Sequence, residues 1–394
     1  MQTKDVDVLI AGGGVAGCVA ALAIKQLSNY SVAIIEKSPP SENTQHPSFD
    51  AKVIALAKQS LTLLKRFGIS VANVDTATIE KIHVSDRKHI GQTLLDAKQL
   101  GVDYFGKVVR LEQLGFSIYE QVKNAGIDYI APDSINALER KVESVEIMTE
   151  KAHISAKLLV VAEGANSPTR QRLNIPVHQY DYQQTAIVSN VELQLAHQNQ
   201  AFERFTKYGP LAFLPLHKAG MANNENLMSV VWTMPTHKAP DVLNLSDDKF
   251  CAELQTLFGY RLGKIGSASP RFSYPLLLKQ THDYASHRVI CIANAAQSLH
   301  PIAGQGFNLG IRDIDRLIHS FLPSVALGSF EHIAKYKTIS EQDKDLTINA
   351  TDSLVSVFSN HHLPLVLGRN LGLKLLNGSQ SMKSYLATLA MGVK

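Results

Sequence analysis

The opening 36 residues constrain this chain's fold more than any later stretch. Asp5-Val6-Asp7-Val8-Leu9-Ile10-Ala11 has the branched, apolar texture of a strand buried on both faces of a parallel sheet. Gly12-Gly13-Gly14-Val15-Ala16-Gly17 follows, Ala20 to Leu27 reads as helix, and Ser31 to Ile35 reads as a short strand ending at Glu36. Strand, GxGxxG, helix, strand and acid, in that order, form the context a dinucleotide fingerprint requires. Gly12 makes the tight turn, Gly14 lets a pyrophosphate approach the helix N-terminus, and Gly17 lets the helix pack on the strand. The helix dipole and its free N–H groups hold phosphates, and Glu36 accepts hydrogen bonds from a ribose. The fingerprint leaves NAD and FAD both open, and a ligand-free glycine turn is the bland alternative.

Val8 to Ile24 carries no charge and imitates a signal peptide or membrane span. Asp5 and Asp7 stand where a signal peptide carries positive charge, and three glycines interrupt the run. Its length also falls slightly short of a spanning helix.

At 394 residues the chain exceeds what a single core usually organises, so two packed domains are expected. A hydrophobic content of 45% against 19% charged residues excludes wholesale disorder. The formal charge of +4, without a dense Lys/Arg run, argues against a nucleic-acid binder and leaves an anionic cofactor or membrane surface open. Cys18, Cys251 and Cys291 are odd in number and lack a CxxC pair, which fits a reducing, cytoplasmic setting and no metal site.

Further along, Ile54, Ala57, Leu61, Leu64 and Phe67 predict a helix stopped by Gly68. Another runs from about Leu111 to Lys123, and Ile127 to Ala131 and Lys157 to Ala162 read as strands returning to the first sheet. Alternation in Val188 to Leu195 and Leu227 to Met234 predicts an antiparallel sheet within 181–280. Arg288 to Ile292 reads as a buried strand ending at Asn294. Phe307, Gly310, Ile314, Leu317 and Phe321 mark a helix by their spacing.

Two further segments join the fingerprint: Val161-Ala162-Glu163-Gly164-Ala165-Asn166-Ser167-Pro168-Thr169-Arg170, and Ala293-Asn294-Ala295-Ala296-Gln297-Ser298-Leu299 running into His300-Pro301-Ile302-Ala303-Gly304-Gln305-Gly306-Phe307-Asn308-Leu309-Gly310. Together the three resemble the group A flavoprotein aromatic hydroxylases. Within them the chain most resembles the ubiquinone-biosynthesis hydroxylases, in particular the 2-polyprenyl-6-methoxyphenol hydroxylase branch. His83-Val84-Ser85-Asp86-Arg87 and the stretch from Phe358 to Asn370 extend the likeness to nearly the whole chain. Glu163 stands for the family's usual Asp, Ala293 for its Gly, and Lys52 for its Arg. Lysine keeps the charge of arginine and loses its planar fork.

The resemblance implies an α/β fold: a Rossmann-like FAD-binding domain with a parallel sheet, an inserted, mainly antiparallel substrate domain, and C-terminal helices. The expected boundaries are 1–180 for the FAD-binding domain, with 76–100 contributing to the substrate domain, 181–280 for that domain, 281–330 for the FAD-binding continuation, and 331–394 for the helical segment. It places FAD against Gly12, Gly14, Ala16, Gly17, Glu36 and Lys52 in the first part of the chain. Glu163, Asn294, Gly304, Gly306, Phe307 and Asn308 complete the contacts. Pro301, Gly304, Gln305 and Gly306 form the flavin-ring environment. There the free N–H groups of the helix face the flavin's pyrimidine edge, and a positive helix end stabilises charge on reduction by up to ~2 kcal/mol.

The implied chemistry belongs to the cofactor. NADPH or NADH reduces FAD, O2 adds at the flavin C4a position, and the hydroperoxide oxygen passes to a polyprenylated (methoxy)phenol. No protein nucleophile is needed. A same-fold flavin reductase and a non-catalytic FAD-binding scaffold of a biosynthetic complex stay open as alternatives. A halogenase does not, because its double-tryptophan signature cannot exist with Trp232 alone. A ubiquinone-biosynthesis complex, peripheral membrane contact through the C-terminal helices and an oligomer are the partner expectations. Nucleic acid and metal are not expected. His300 and the pair His361-His362 read as turn-forming or solvated, while Arg170 and Arg172 are candidates for phosphate contact.

Overall fold

The computed structural model describes residues 2–38, 53–87, 89–217, 225–298, 305–341, 370, 372 and 375–392. Strand β1 (Gln2–Ala11) leads into helix α1 (Val15–Leu27) and strand β2 (Val32–Ile35). Val8 and Ile10 point into one hydrophobic core while Leu9 and Ala11 point into another, so both faces of β1 are covered. That two-sided burial is why the strand reads as an unbroken apolar run.

Next come β3 (Val53–Ala57), α2 (Lys58–Arg66), β4 (Thr76–Ile79), β5 (Lys81–Asp86), β6 (Gln92–Asp96), β7 (Gly106–Arg110) and α3 (Leu111–Asn124). Strands β8 (Asp128–Ile130), β9 (Ala137–Arg140), β10 (Val145–Met148) and β11 (Ala152–Val161) precede the short α4 (Pro168–Arg172). The long β12 (Val177–Leu193) opens a run of β13 (Gln200–Thr206), β14 (Gly209–Leu216) and β15 (Leu227–Pro235). Then follow α5 (Ala239–Leu243), α6 (Asp247–Phe258), β16 (Ile265–Ala268), β17 (Phe272–Thr281), β18 (Ala285–Ser286), β19 (Val289–Cys291) and β20 (Gln297–Ser298). Helices α7 (Gln305–Ser320) and α8 (Gln380–Met391) complete the set used below.

One sheet has the order β18-β19-β11-β1-β2-β8, with β10 added to β11 and β9 to β10. Its centre is parallel: β1 pairs with β11 and β2, β11 with β19, and β2 with β8. A second sheet runs β20-β17-β12-β15-β14-β13-β5-β6, with β16 on β12. It is antiparallel except where β5 pairs with β13. The fold is therefore mixed α/β. A small sheet of β3, β7 and β4 shares no ladder with either and packs on the second, where Ala77, Ile79 and Val108 meet Leu95, Ala201 and Leu216.

In the second sheet, alternation separates two environments. Ile187, Phe202, Phe213 and Trp232 pack with Phe250 and Phe258 of α6. Their neighbours Ala186, Ala201, Ala212 and Val231 turn the other way and line a cavity.

The helix expected from Ile54 to Phe67 is corrected. Val53–Ala57 forms β3, with Ile54 opposite Val109, and the helix starts only at Lys58. A short apolar run carries no periodicity that separates strand from helix, and here β7 supplies the partner. The stop at Gly68 holds, with φ of +75°. Among the described residues no helix is long and apolar enough to cross a membrane. The apolar C-terminal residues from Leu354 to Leu367 lie outside the described residues.

Candidate active site

The fingerprint turn is built by close backbone approach. Gly12 has φ of +102°, and a Cβ there would come within 2.8 Å of the Ala162 carbonyl and the Glu163 nitrogen. A Cβ on Gly17 would lie 1.9 Å from the Gly12 oxygen, so α1 can sit on the end of β1 only with glycine there. Gly13 N donates to Glu36 Oε2 at 2.6 Å, and the Tyr129 hydroxyl donates to Gly13 O at 3.1 Å. The Cys18 thiol, its acidity suppressed by burial, also donates to Gly13 O, at 3.2 Å. Gly14 caps α1 in an extended conformation. Among the described residues no side chain caps the helix N-terminus, and no acid occupies its first turn. The positive end of α1 is left for an anion.

The third segment is shaped by α7. Ala293 adopts φ of +49°, a left-handed conformation that glycine tolerates better. Its N–H donates to Asp313 Oδ2 at 3.1 Å, and Gln297 Nε2 donates to the same oxygen at 3.0 Å. Arg316 Nη2 donates to Asp313 Oδ1 at 2.7 Å. A Cβ on Gly310 would come within 2.9 Å of the Ala293 Cβ. The methyl that replaces the family's glycine is thus seated against a glycine of α7. Asn294 follows, its side chain exposed on the cavity wall and without a hydrogen-bond partner among the described residues.

Gly12, Gly14, Ala16, Glu36, Glu163, Asn294, Gly306, Phe307 and Asn308 line one cavity of about 1170 Å³. Gly17 does not; it serves the packing of α1. Among the described residues, a Cβ on Gly306 would meet no atom within 4 Å. Lys52, His300, Pro301, Gly304 and the pair His361-His362 lie outside the described residues, and Gln305 opens α7.

Three side chains have roles that the sequence does not announce. Asn308 Oδ1 accepts from Ala57 N at 2.9 Å and Ser60 Oγ at 2.8 Å, while its Nδ2 donates to Ala55 O at 2.9 Å. Its amide therefore ties α7 to the β3–α2 junction. The Glu163 carboxylate turns back to accept from Thr169 N at 3.0 Å, Thr169 Oγ1 at 2.9 Å and the Ser167 hydroxyl. Arg170 is a correction to the phosphate expectation. It is buried, with Nη1 donating to Ala295 O at 2.9 Å and Nη2 to Ala165 O at 2.7 Å, so it fastens two loops. Arg172 is exposed.

The cavity's other wall is the second sheet. Pairing aligns Thr93, Val84, Glu203, Ala212, Val231 and Val188 in one row facing it. Burial pushes the Glu203 carboxyl up to about 7. Met382, Leu386 and Ala390 of α8 close another side. Behind the sheet, His83 packs on Phe202 beside Arg261, and burial with that guanidinium lowers its pKa to about 4. Asp86 accepts from Asn370 Nδ2 at 2.9 Å, and Asn370 Oδ1 accepts from Gly91 N at 2.9 Å. Two segments that carried the resemblance, far apart in sequence, thus meet. Tyr129, Asp313 and Glu203 escape a reading of the sequence. Asp313 and Glu203 had a signal, an acid at an inward-facing position of an apolar helix or strand.

A glycine cradle at a helix N-terminus, continuous with an apolar chamber, is a dinucleotide site opening on a substrate cavity, and the family match and relatives make its owner an FAD-dependent aromatic-ring monooxygenase. The chain belongs to the FAD binding domain family, which it matches over residues 5–326, and within it to the ubiquinone-biosynthesis hydroxylases. It is 31% identical to ubiquinone hydroxylase UbiL of Rhodospirillum rubrum, covering 99% of this chain and 90% of that one. It is 27% identical to 3-demethoxyubiquinol 3-hydroxylase of Escherichia coli, over 100% of both chains. Among solved structures, p-nitrophenol 4-monooxygenase PnpA of Pseudomonas putida DLL-E4 superposes with a TM-score of 0.79 at 14% identity, covering 100% of both chains. FAD is the cofactor, and the cradle fits it. The bare N-terminus of α1, the clearance that Gly12 enforces and the Asn294 amide facing the cavity suit a pyrophosphate and its polar neighbours.

Proposed function

We propose that this chain hydroxylates the ring of a polyprenylated phenol in ubiquinone biosynthesis, consuming NAD(P)H and O2. The observation that carries the reading is the continuity of one cavity from the glycine cradle to the apolar face of the second sheet. When bound, FAD supplies the redox chemistry and the activation of oxygen. In this reading Gly12, Gly14 and Ala16 lay the N-terminus of α1 against the pyrophosphate, and Glu36 meets the ribose while holding Gly13 N. Asn294 offers its amide to the cofactor. The backbone of Gly306, Phe307 and Asn308 at the start of α7 faces the ring, and Gln305 precedes them in the same helix. Gly17 and Glu163 hold the surrounding loops in place.

The substrate ring lies between that helix end and the sheet. Val84, Ala212, Val231 and Leu276 exclude water there. The prenyl tail runs toward α8, where Met382 and Leu386 offer apolar contact. Leu375, Met382 and Tyr385 are 58%, 45% and 68% exposed, which suits a surface that touches a membrane while drawing a lipid-like substrate. Loading the protein with FAD and following NADPH oxidation and O2 uptake with short-chain prenylated phenols tests the reading. Hydroxylated product matched to O2 consumed supports it. Substrate turnover under nitrogen contradicts it.

A further inference from the structure

Glu203 is out of place. It sits in the middle of a wall that is otherwise nearly apolar, opposite Val84 on β5 and Ala212 on β14. Ala201 and Phe205 flank it along β13 on the same face. Among the described residues, the other charged ones lining the cavity, Glu36, Lys37, Asp133 and Glu163, belong to loops around the nucleotide end. Among the described residues, Glu203 has neither a hydrogen-bond nor an ion-pair partner.

The elements packed around it offer no compensating charge among the described residues. From β5 come Ile82, Val84 and, opposite Phe205, Asp86, whose carboxylate is taken up by Asn370. Strand β14 presents Pro210, Ala212 and Leu214, β6 presents Thr93 and Leu95, and α8 presents Met382, Leu386 and Ala390. The remaining polar group in its row is Thr93, whose buried Oγ1 also lacks a partner among the described residues. An unpaired carboxylate on an apolar wall is costly to keep. A ligand that donates a hydrogen bond to it removes that cost, and a ligand bearing a second carboxylate increases it.

We propose that Glu203 receives the hydroxyl of the substrate ring, so that the site selects neutral phenols and rejects rings that carry a carboxylate. The inference rests on the phenol-hydroxylase reading and names its substrate class. As the ring is attacked, the hydroxyl O–H bond breaks and its proton passes to a Glu203 oxygen. Phenol and carboxylate become phenolate and carboxylic acid, with no change of oxidation state in either. The phenolate oxygen pushes electron density into the ring when the electrophilic oxygen arrives. With its carboxyl titrating at about 7, Glu203 is poised for general-base work near neutrality. Because its charge appears as pH rises through that value, discrimination against carboxylated rings grows in the same direction.

The test uses the FAD-loaded protein, wild type and Glu203→Gln, with 2-prenylphenol and 3-prenyl-4-hydroxybenzoate as probes. Affinities are read from perturbation of the flavin absorbance between about pH 5.5 and about pH 8.5, spanning the carboxyl's titration. Wild type is expected to prefer the phenol by at least about tenfold at high pH, and Glu203→Gln to lose most of that preference. Turnover of the phenol by the variant is expected to fall by about a hundredfold in kcat, with KM changed less and the rise with pH flattened. Equal preference and an unchanged pH profile in the variant overturn the proposal. If wild type binds with this preference, loses it in the variant, and hydroxylates neither probe, the hydroxylase reading fails while the Glu203 assignment as a binding group stands. Should Glu203→Gln not fold, infrared spectra of wild type still decide. A carboxyl band that responds to 2-prenylphenol supports the proposal, and one indifferent to it overturns it.

Discussion

The nucleotide cradle and the sheet wall are two ends of one cavity built on opposite principles. In the cradle, function is carried by backbone. Gly12 and Gly17 remove side chains where neighbouring backbone leaves no room for a Cβ, and Glu36, Tyr129 and Cys18 satisfy the polar groups of the turn. On the wall, function is carried by side chains projecting from a regular sheet. There Glu203 and Thr93 keep polar atoms without partners among the described residues. The cradle is tuned to one cofactor by geometry. The wall leaves its polar groups to discriminate among the rings that arrive.

The contrast predicts unequal responses to mutation. Gly17→Val gives the largest effect. Its side chain has no space above the Gly12 oxygen, so the protein retains no measurable FAD, read from the ratio of flavin to protein absorbance. A variant that keeps its full flavin content breaks the account of the cradle.

Asn308→Ala comes next, because it removes three hydrogen bonds between α7 and the β3–α2 junction. Stability falls by about 3 kcal/mol in urea titration, and FAD affinity falls with it. A change below about 1 kcal/mol would show that the junction is held otherwise.

The wall, in turn, responds to pH through Glu203. Its carboxyl titrates at about 7 in the folded chain, against an ordinary value of 4.5. The folded state thus holds the proton longer, and stability declines as pH rises from about 4.5 to about 7. Glu203→Gln escapes that decline, so at about pH 8 it is more stable than wild type by about 2 kcal/mol, with little difference at about pH 4. Equal melting curves at both pH values contradict the burial of this group.

The smallest effect is at the Ala293 turn. Gly310→Ala crowds the Ala293 methyl and costs about 1 kcal/mol, while adding Ala293→Gly restores most of it. Additive behaviour in that cycle would mean that the two residues do not share the space.

The same contrast explains what the sequence disclosed. Gly12, Gly14, Gly17 and Glu36 sit at fixed spacing within one strand–helix–strand unit, so the cradle is legible from local order. The alternation in β12 and β15 discloses the second sheet for the same reason. Strand β3 reads as helix in the sequence because its identity comes from β7, about fifty residues further on. Arg170 has the look of a phosphate ligand, yet the loop ending at Ala295, 125 residues away, takes its guanidinium. The meeting of Asp86 with Asn370 spans 284 residues and has no local signature. Glu203 is visible as an acid in an inward position between Ala201 and Phe205, but its isolation depends on strands from distant parts of the chain.

The most direct test of the central claim is isotopic. The FAD-loaded protein is given NADPH, a short-chain prenylated phenol and 18O2, and the product is weighed by mass spectrometry. The account predicts one added oxygen atom, labelled, in the ring hydroxyl. Product carrying unlabelled oxygen, or formed equally without O2, would contradict it.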